Sequence, residues 1–197
     1  GKIQALKKTT KQIFLTNDST IPANFATEIT QDGKCFSVEP TNGSINPGES
    51  LAIDVSATLD DTFDFKGKII FSFQYLNPIN IDLTATGTGT TIVASIPMTT
   101  LDMGYIFVGV PNKRSFILEN KGRRPQEVKW ATHKPKIQTK VEAKFTCSIE
   151  PETALIEPGD NAEFVITTQC NVVSMFSNSL LCNSLLGKQR IDLFNLN

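Results

Sequence analysis

Ten lysines and arginines crowd residues 113–144 against three glutamates, a net of +7 within a chain of formal charge −1. Lys113 and Arg114 enter an apolar run, Lys121, Arg123 and Arg124 crowd a tight turn, and Lys129 flanks Trp130. His133, Lys134, Lys136, Lys140 and Lys144 follow in a polar stretch. Clustered cations steer association with acidic surfaces in a salt-dependent way, and arginines at a rigid turn pair bidentately with carboxylates. A solvated, solubilising loop would have the same composition, and the sequence leaves both readings open. Either way the chemistry is recognition rather than bond-making.

Signals for catalysis are weak. His133 is the only histidine, so acid–base or zinc chemistry built on a second imidazole has no partner. The serines form no G-x-S-x-G elbow, and Gly87-x-Gly89 lacks the following helix that a phosphate cradle needs. Asp60-Asp61 sits in a polar turn, where a solvated pair is expected. The expected catalytic, cofactor-binding and metal-ligating sets are therefore empty. Cys35, Cys147, Cys170 and Cys182 have no CxxC spacing, and their split of one and three does not follow the repeat described next. Free thiols in a reducing compartment are expected. Asn17-Asp18-Ser19 and Asn42-Gly43-Ser44 match the glycosylation tripeptide, which is common by chance.

The elements that must position these residues are written twice. Phe36-Ser37-Val38-Glu39-Pro40 and Ile45-Asn46-Pro47-Gly48-Glu49 return as Cys147-Ser148-Ile149-Glu150-Pro151 and Ile156-Glu157-Pro158-Gly159-Asp160. Upstream, Ile13-Phe14-Leu15-Thr16-Asn17 returns as Phe116-Ile117-Leu118-Glu119-Asn120, and downstream Ile81-Asp82-Leu83 returns as Ile191-Asp192-Leu193. The offsets are 103, 111 and 110 residues, so one loop is about eight residues longer in the second copy, and the basic stretch fills it. Two domains are expected, residues 1–88 and 89–197, joined at a short Thr/Gly hinge. The first is expected to lack its opening strand, because only about a dozen residues precede Phe14.

Within each copy the period is two. Ile53–Thr58, Phe63–Lys66, Phe71–Gln74, Ile79–Leu83, Phe164–Thr167 and Ile191–Phe194 alternate apolar and polar residues, which places one set of side chains inward and the other in water. Asn42-Gly43, Pro47-Gly48, Asn77-Pro78, Lys121-Gly122 and Pro158-Gly159 mark turns between them. The two Pro-Gly turns read as corners where the chain changes sheet. No amphipathic helix and no run of 18 apolar residues is present, so no membrane-spanning helix is expected. The fold class expected is all-β, with two tandem immunoglobulin-like sandwiches. Trp130 is expected in a core. A bare sheet edge could also accept a strand from a neighbour, although the sequence does not say which edge is open. Residues 1–90 carry a net −3 and residues 91–197 a net +2, which suits no bulk nucleic-acid binder. The chain starts mid-pattern and stops abruptly, as a fragment would, and is expected to be monomeric.

Leu101-Asp102-Met103-Gly104 with Val108-Gly109, then Phe116-Ile117-Leu118-Glu119-Asn120-Lys121-Gly122, resembles the opening of ASH-type domains. These are the major-sperm-protein-like or PapD-like modules of centrosomal and ciliary proteins. The second copy meets the family pattern almost in full and the first from Phe14 onward, with Met103 in place of an aromatic and Ala154 where glycine is usual. Gly87-Thr88-Gly89-Thr90-Thr91-Ile92-Val93 and the run from Leu118 to Gln126, ending in Trp130, look like repeats of very long central-pair proteins of motile cilia. The resemblance implies a non-catalytic scaffold in the cytoplasm, in the axoneme. It also implies axonemal or other cytoskeletal partners, with tubulin's acidic surface the candidate for the basic residues. Another member of the same class would be an adaptor binding short acidic peptides at a centrosome or organelle membrane. A secreted adhesion module of true immunoglobulin type would instead need disulfides.

Overall fold

In a computed structural model of the chain, the described residues are all except 32–33, 75, 134–144, 174–175, 185–186 and 196–197. They form strands and turns with no α-helix among them. The chain divides into two compact units, Gly1–Gly89 and Thr90–Asn197.

The first unit runs β1 (Lys2–Gln4), β2 (Thr9–Thr16), β3 (Ala23–Gln31), β4 (Phe36–Glu39), β5 (Asn42–Ile45), β6 (Ser50–Ala57), β7 (Asp64–Phe73) and β8 (Ile79–Thr88). One sheet has the order β1-β8-β7-β3-β5 and the other β2-β6-β4. Alternation buries Phe25, Ile69 and Phe71 of the first sheet against Val38 and Ile53 of the second, which is why the period-two runs fold as a sandwich. The chain leaves the smaller sheet after β4, adds four residues to the larger one as β5, and returns through Pro47-Gly48, where Gly48 has φ +73. A residue with a side chain resists that conformation. The Pro-Gly turn is a sheet-to-sheet corner, but the crossing segment before it pairs as a strand rather than forming a plain loop.

The second unit runs β9 (Ile92–Ala94), β10 (Thr100–Asp102), β11 (Asn112–Asn120), β12 (Gln126–His133), β13 (Phe145–Glu150), β14 (Thr153–Ile156), β15 (Asn161–Cys170), β16 (Phe176–Ser184) and β17 (Gly187–Asn195). Its sheets are β10-β17-β16-β12-β14 and β13-β15-β11-β9. Each strand from β10 onward has a counterpart in the first unit, with the corner repeated at Pro158-Gly159 (φ +82 at Gly159). The core centres on Trp130, buried between Phe116 and Phe164 with ring centroids 5.6 and 5.7 Å away.

The opening of the first unit differs from expectation. A short strand does stand parallel beside the last strand in both units: β1 pairs with β8 as β10 pairs with β17. The approach to the next strand is simply shorter, Ala5–Lys8 in the first unit against Met103–Pro111 in the second. What the first unit lacks, among the described residues, is a counterpart of β9.

Candidate interaction surfaces

The turn between β11 and β12 is fixed from below by one buried asparagine. Asn120, 0% exposed, donates from Nδ2 to the carbonyls of Arg124 (2.7 Å) and Ile156 (2.9 Å). Its Oδ1 accepts from the Gly122 N–H (3.0 Å) and from Thr91 Oγ1 (3.3 Å). Its backbone completes the knot: the N–H donates to the Asp160 carbonyl at 3.0 Å, and its carbonyl accepts from the Gly159 N–H at 2.8 Å. Asn17 does the same in the first unit. Its Nδ2 donates to the carbonyls of Ile21 and Ile45, both at 2.8 Å, and its Oδ1 accepts from the Ser19 N–H (3.0 Å) and hydroxyl (2.7 Å). A neutral side chain with all its hydrogen-bonding capacity used is well suited to a buried site, and it holds the turn to both sheets. The Asn17 amide of the glycosylation tripeptide is therefore committed inside the fold.

On this mount stand Lys121, Arg123 and Arg124, all exposed. Lys121 Nζ lies 3.4 Å from Glu119, and on the outer face of β12 Lys129 Nζ lies 3.2 Å from Glu127. Each of these surface pairs offsets one positive charge locally and contributes little to stability. Lys113 and Arg114 are exposed at the start of β11, the other end of the sandwich. From Arg114 to Asn120 the strand spans roughly 20 Å. β12 then runs back, so its last residue, His133, returns to the end where β11 begins. The run of cations continuous in sequence is thus split: a compact group at one turn, and a second group at the opposite end. Lys134, Lys136, Lys140 and Lys144 lie outside the described residues.

The remaining chemistry is inward. All four cysteines are free thiols, with Cys35, Cys170 and Cys182 buried and Cys147 half-buried. Burial pushes the thiols of Cys147 and Cys182 from 9.0 up to about 11, which keeps them protonated and poorly nucleophilic at neutral pH. Among the described residues no group of three or more His, Cys, Asp or Glu side chains is placed to hold a metal ion. An apolar pocket of about 110 Å³, lined by Ile21, Pro22, Phe73 and Leu76, lies in the first unit, whose corresponding turn carries Asp18 rather than a cation.

Sequence reasoning missed the role of Asn17 and Asn120, although the repeat placed both at equivalent positions. A side-chain amide that reads as a turn residue is at home on the surface as well, and only the fold reveals that both sheets close over it.

The family model described as HYDIN/CFA65/VesB-like, Ig-like domain matches residues 1–88 and again residues 95–193. The chain belongs to the HYDIN/CFA65/VesB-like Ig-like domain family. It is 26% identical over 217 residues to the hydrocephalus-inducing protein of Mus musculus, and 24% identical over 216 residues to the Homo sapiens homolog. Each alignment covers 96% of this chain and 4% of the relative, so the chain spans a small part of the length of these proteins. Among solved structures, the ASH/PapD-like domain 7 of human CEP192 aligns with 55% of this chain and 85% of its own, at 16% identity and a TM-score of 0.42. The HYDIN/CFA65/VesB-like match therefore falls on both sandwiches. No helix among the described residues is long and apolar enough to cross a membrane.

Proposed function

We propose that this chain is a non-catalytic scaffold segment of the motile-cilium axoneme, in the central-pair apparatus, where it mediates protein–protein contacts needed for motility. The observation that carries this reading is the family match on both sandwiches, together with similarity to hydrocephalus-inducing proteins along 96% of the chain. Two copies of one fold, each holding its turn with a buried asparagine, make repeated surfaces rather than a reactive cleft. Function then resides in what the outward strands and turns contact, in the cytoplasm, among axonemal or other cytoskeletal proteins.

The second module's turn is the contact we favour. Lys121, Arg123 and Arg124 stand on a backbone held by Asn120, so little ordering is required when a carboxylate-rich partner binds. Tubulin's acidic surface has the matching chemistry. Reversal of Arg123 and Arg124 to glutamate is expected to weaken co-sedimentation of the chain with salt-washed axonemes and to flatten its salt dependence. Equal sedimentation of the variant would remove the turn from the interface. The location is tested by an antibody to this fragment on detergent-extracted motile cilia. Retention near the central microtubules is expected, and signal confined to centrosomes or membranes would sink the axonemal reading.

A further inference from the structure

The two copies differ at one edge. In the second module β9 lies antiparallel along the outer side of β11, pairing Ala94, Val93 and Ile92 with Leu118, Glu119 and Asn120. The flanking residues extend the ladder: the Lys121 N–H donates to the Thr91 carbonyl (3.0 Å) and the Ser95 N–H to the Ile117 carbonyl (2.9 Å). Ile92, Ala94, Ile96 and Met98 pack on the core from this side. In the first module β2 is the end strand of its sheet, and among the described residues nothing pairs with its outer side.

The consequence is visible in burial. Phe116 and Leu118, beneath β9, are 3% and 0% exposed, whereas their counterparts Ile13 and Leu15 are only half-buried. Leu15 and Asn17 spend their backbone groups on β6 and Glu49, so alternation turns the Thr16 N–H and C=O, the Phe14 C=O and the Asp18 N–H toward the uncovered side. Exposed edges of this kind are templates for an added strand.

We propose that the outer edge of β2 is a strand-acceptor site, and that its occupant is a connector strand of the β9 type from another module of this family. The sequence it takes is partly dictated by Ser19. In the second module the position equivalent to Ser19 is Gly122, and a Cβ there would meet Thr91 Oγ1 at 2.5 Å and Thr91 Cβ at 2.9 Å. In the first module the Ser19 hydroxyl already makes the hydrogen bond to Asn17 Oδ1 that Thr91 makes to Asn120. The occupant of β2 therefore carries glycine or alanine, not threonine, at that place, followed by an apolar-x-small run as in Ile92-Val93-Ala94. This inference does not depend on the ciliary reading.

The test uses the full chain, extended ahead of Gly1 by a flexible Gly/Ser linker and a copy of residues 89–98 bearing Thr91→Gly, so that the strand is presented at high effective concentration. Amide hydrogen exchange is read at Thr16 and Asp18. Slowing by about tenfold or more is expected, with a smaller effect when Thr91 is kept and a full effect restored by Ser19→Gly. A Val93→Pro change in the added strand removes the N–H at the centre of the ladder and is expected to abolish the slowing. Unchanged exchange at Thr16 and Asp18, protection confined to Ile117–Lys121, or equal protection with the proline strand would each overturn the proposal. So would concentration-dependent dimerisation of the chain through β2 with no effect of the added strand.

Discussion

Asn120 and Asn17 hold equivalent turns, and in the first module a serine hydroxyl assists. In the first module the Ser19 hydroxyl also donates to the Ile21 carbonyl at 2.9 Å, a bond that Gly122, at the equivalent place in the second, has no hydroxyl to make. Asn120→Ala strands buried acceptors and should cost about 3 kcal/mol. Asn17→Ala should cost less. Denaturant unfolding measures both, with Trp130 fluorescence reporting the second module and circular dichroism the whole chain. Equal losses would mean that Ser19 does not compensate. A second pair of residues explains an apparent departure from the family pattern. Gly43 faces Phe25 across β3 and β5, and a Cβ at Gly43 would meet that ring at 3.0 Å. The equivalent pair is Ala154 opposite Val128, where the smaller valine leaves room for the methyl group. Gly43→Ala is accordingly expected to destabilise the first module by about 1–2 kcal/mol, and to do so less in a Phe25→Val background. Additive losses in the double variant would dismiss the pairing.

Among the elements, β9 tests how tightly the connector is integrated with the second sandwich. Gly122→Ala drives a methyl group into Thr91 and should destabilise the module by about 1–3 kcal/mol, with Thr91→Gly in the same chain recovering part of that loss. Unfolding followed by Trp130 decides it; failure of Thr91→Gly to compensate would place the strain elsewhere. Strands such as β7, β8 and β15 were legible in the sequence because burial on one face imposes the period of two. Ile92-Val93-Ala94 has the apolar, β-branched composition of a strand, but its pairing partner was not legible, since a ladder is made between segments distant in sequence. The four-residue strands β5 and β14 lie between a proline and a Pro-Gly turn and are too short to show alternation. β1 is three residues bracketed by lysine and glutamine. The cations read as one band because they are consecutive, and the reversal between β11 and β12 is what divides them.

For the whole chain, the duplicated fold hides two chemically different halves. Cys147 and Cys182, both in the second unit, are the thiols that burial raises to about 11. Unfolding returns them toward 9.0, so between these values the unfolded state loses protons that the folded state keeps. Their contribution is complete below pH 9 and lost as pH rises toward 11. The melting temperature of the second unit, read by Trp130, should therefore fall over that interval, and fall less in Cys182→Ala. An identical alkaline decline in the variant would rule out the thiol at Cys182 as its source.

Both units fix the same turn with an asparagine that solvent barely reaches, and this separates the shape of the turn from the residues displayed on it. Asp18, Thr20 and Ile21 occupy in one copy the places of Lys121, Arg123 and Arg124 in the other. A repeat built this way resembles a row of identical sockets with interchangeable fittings. The side chains at those three places can differ without disturbing the fold, so two repeats can display different chemistry on one frame.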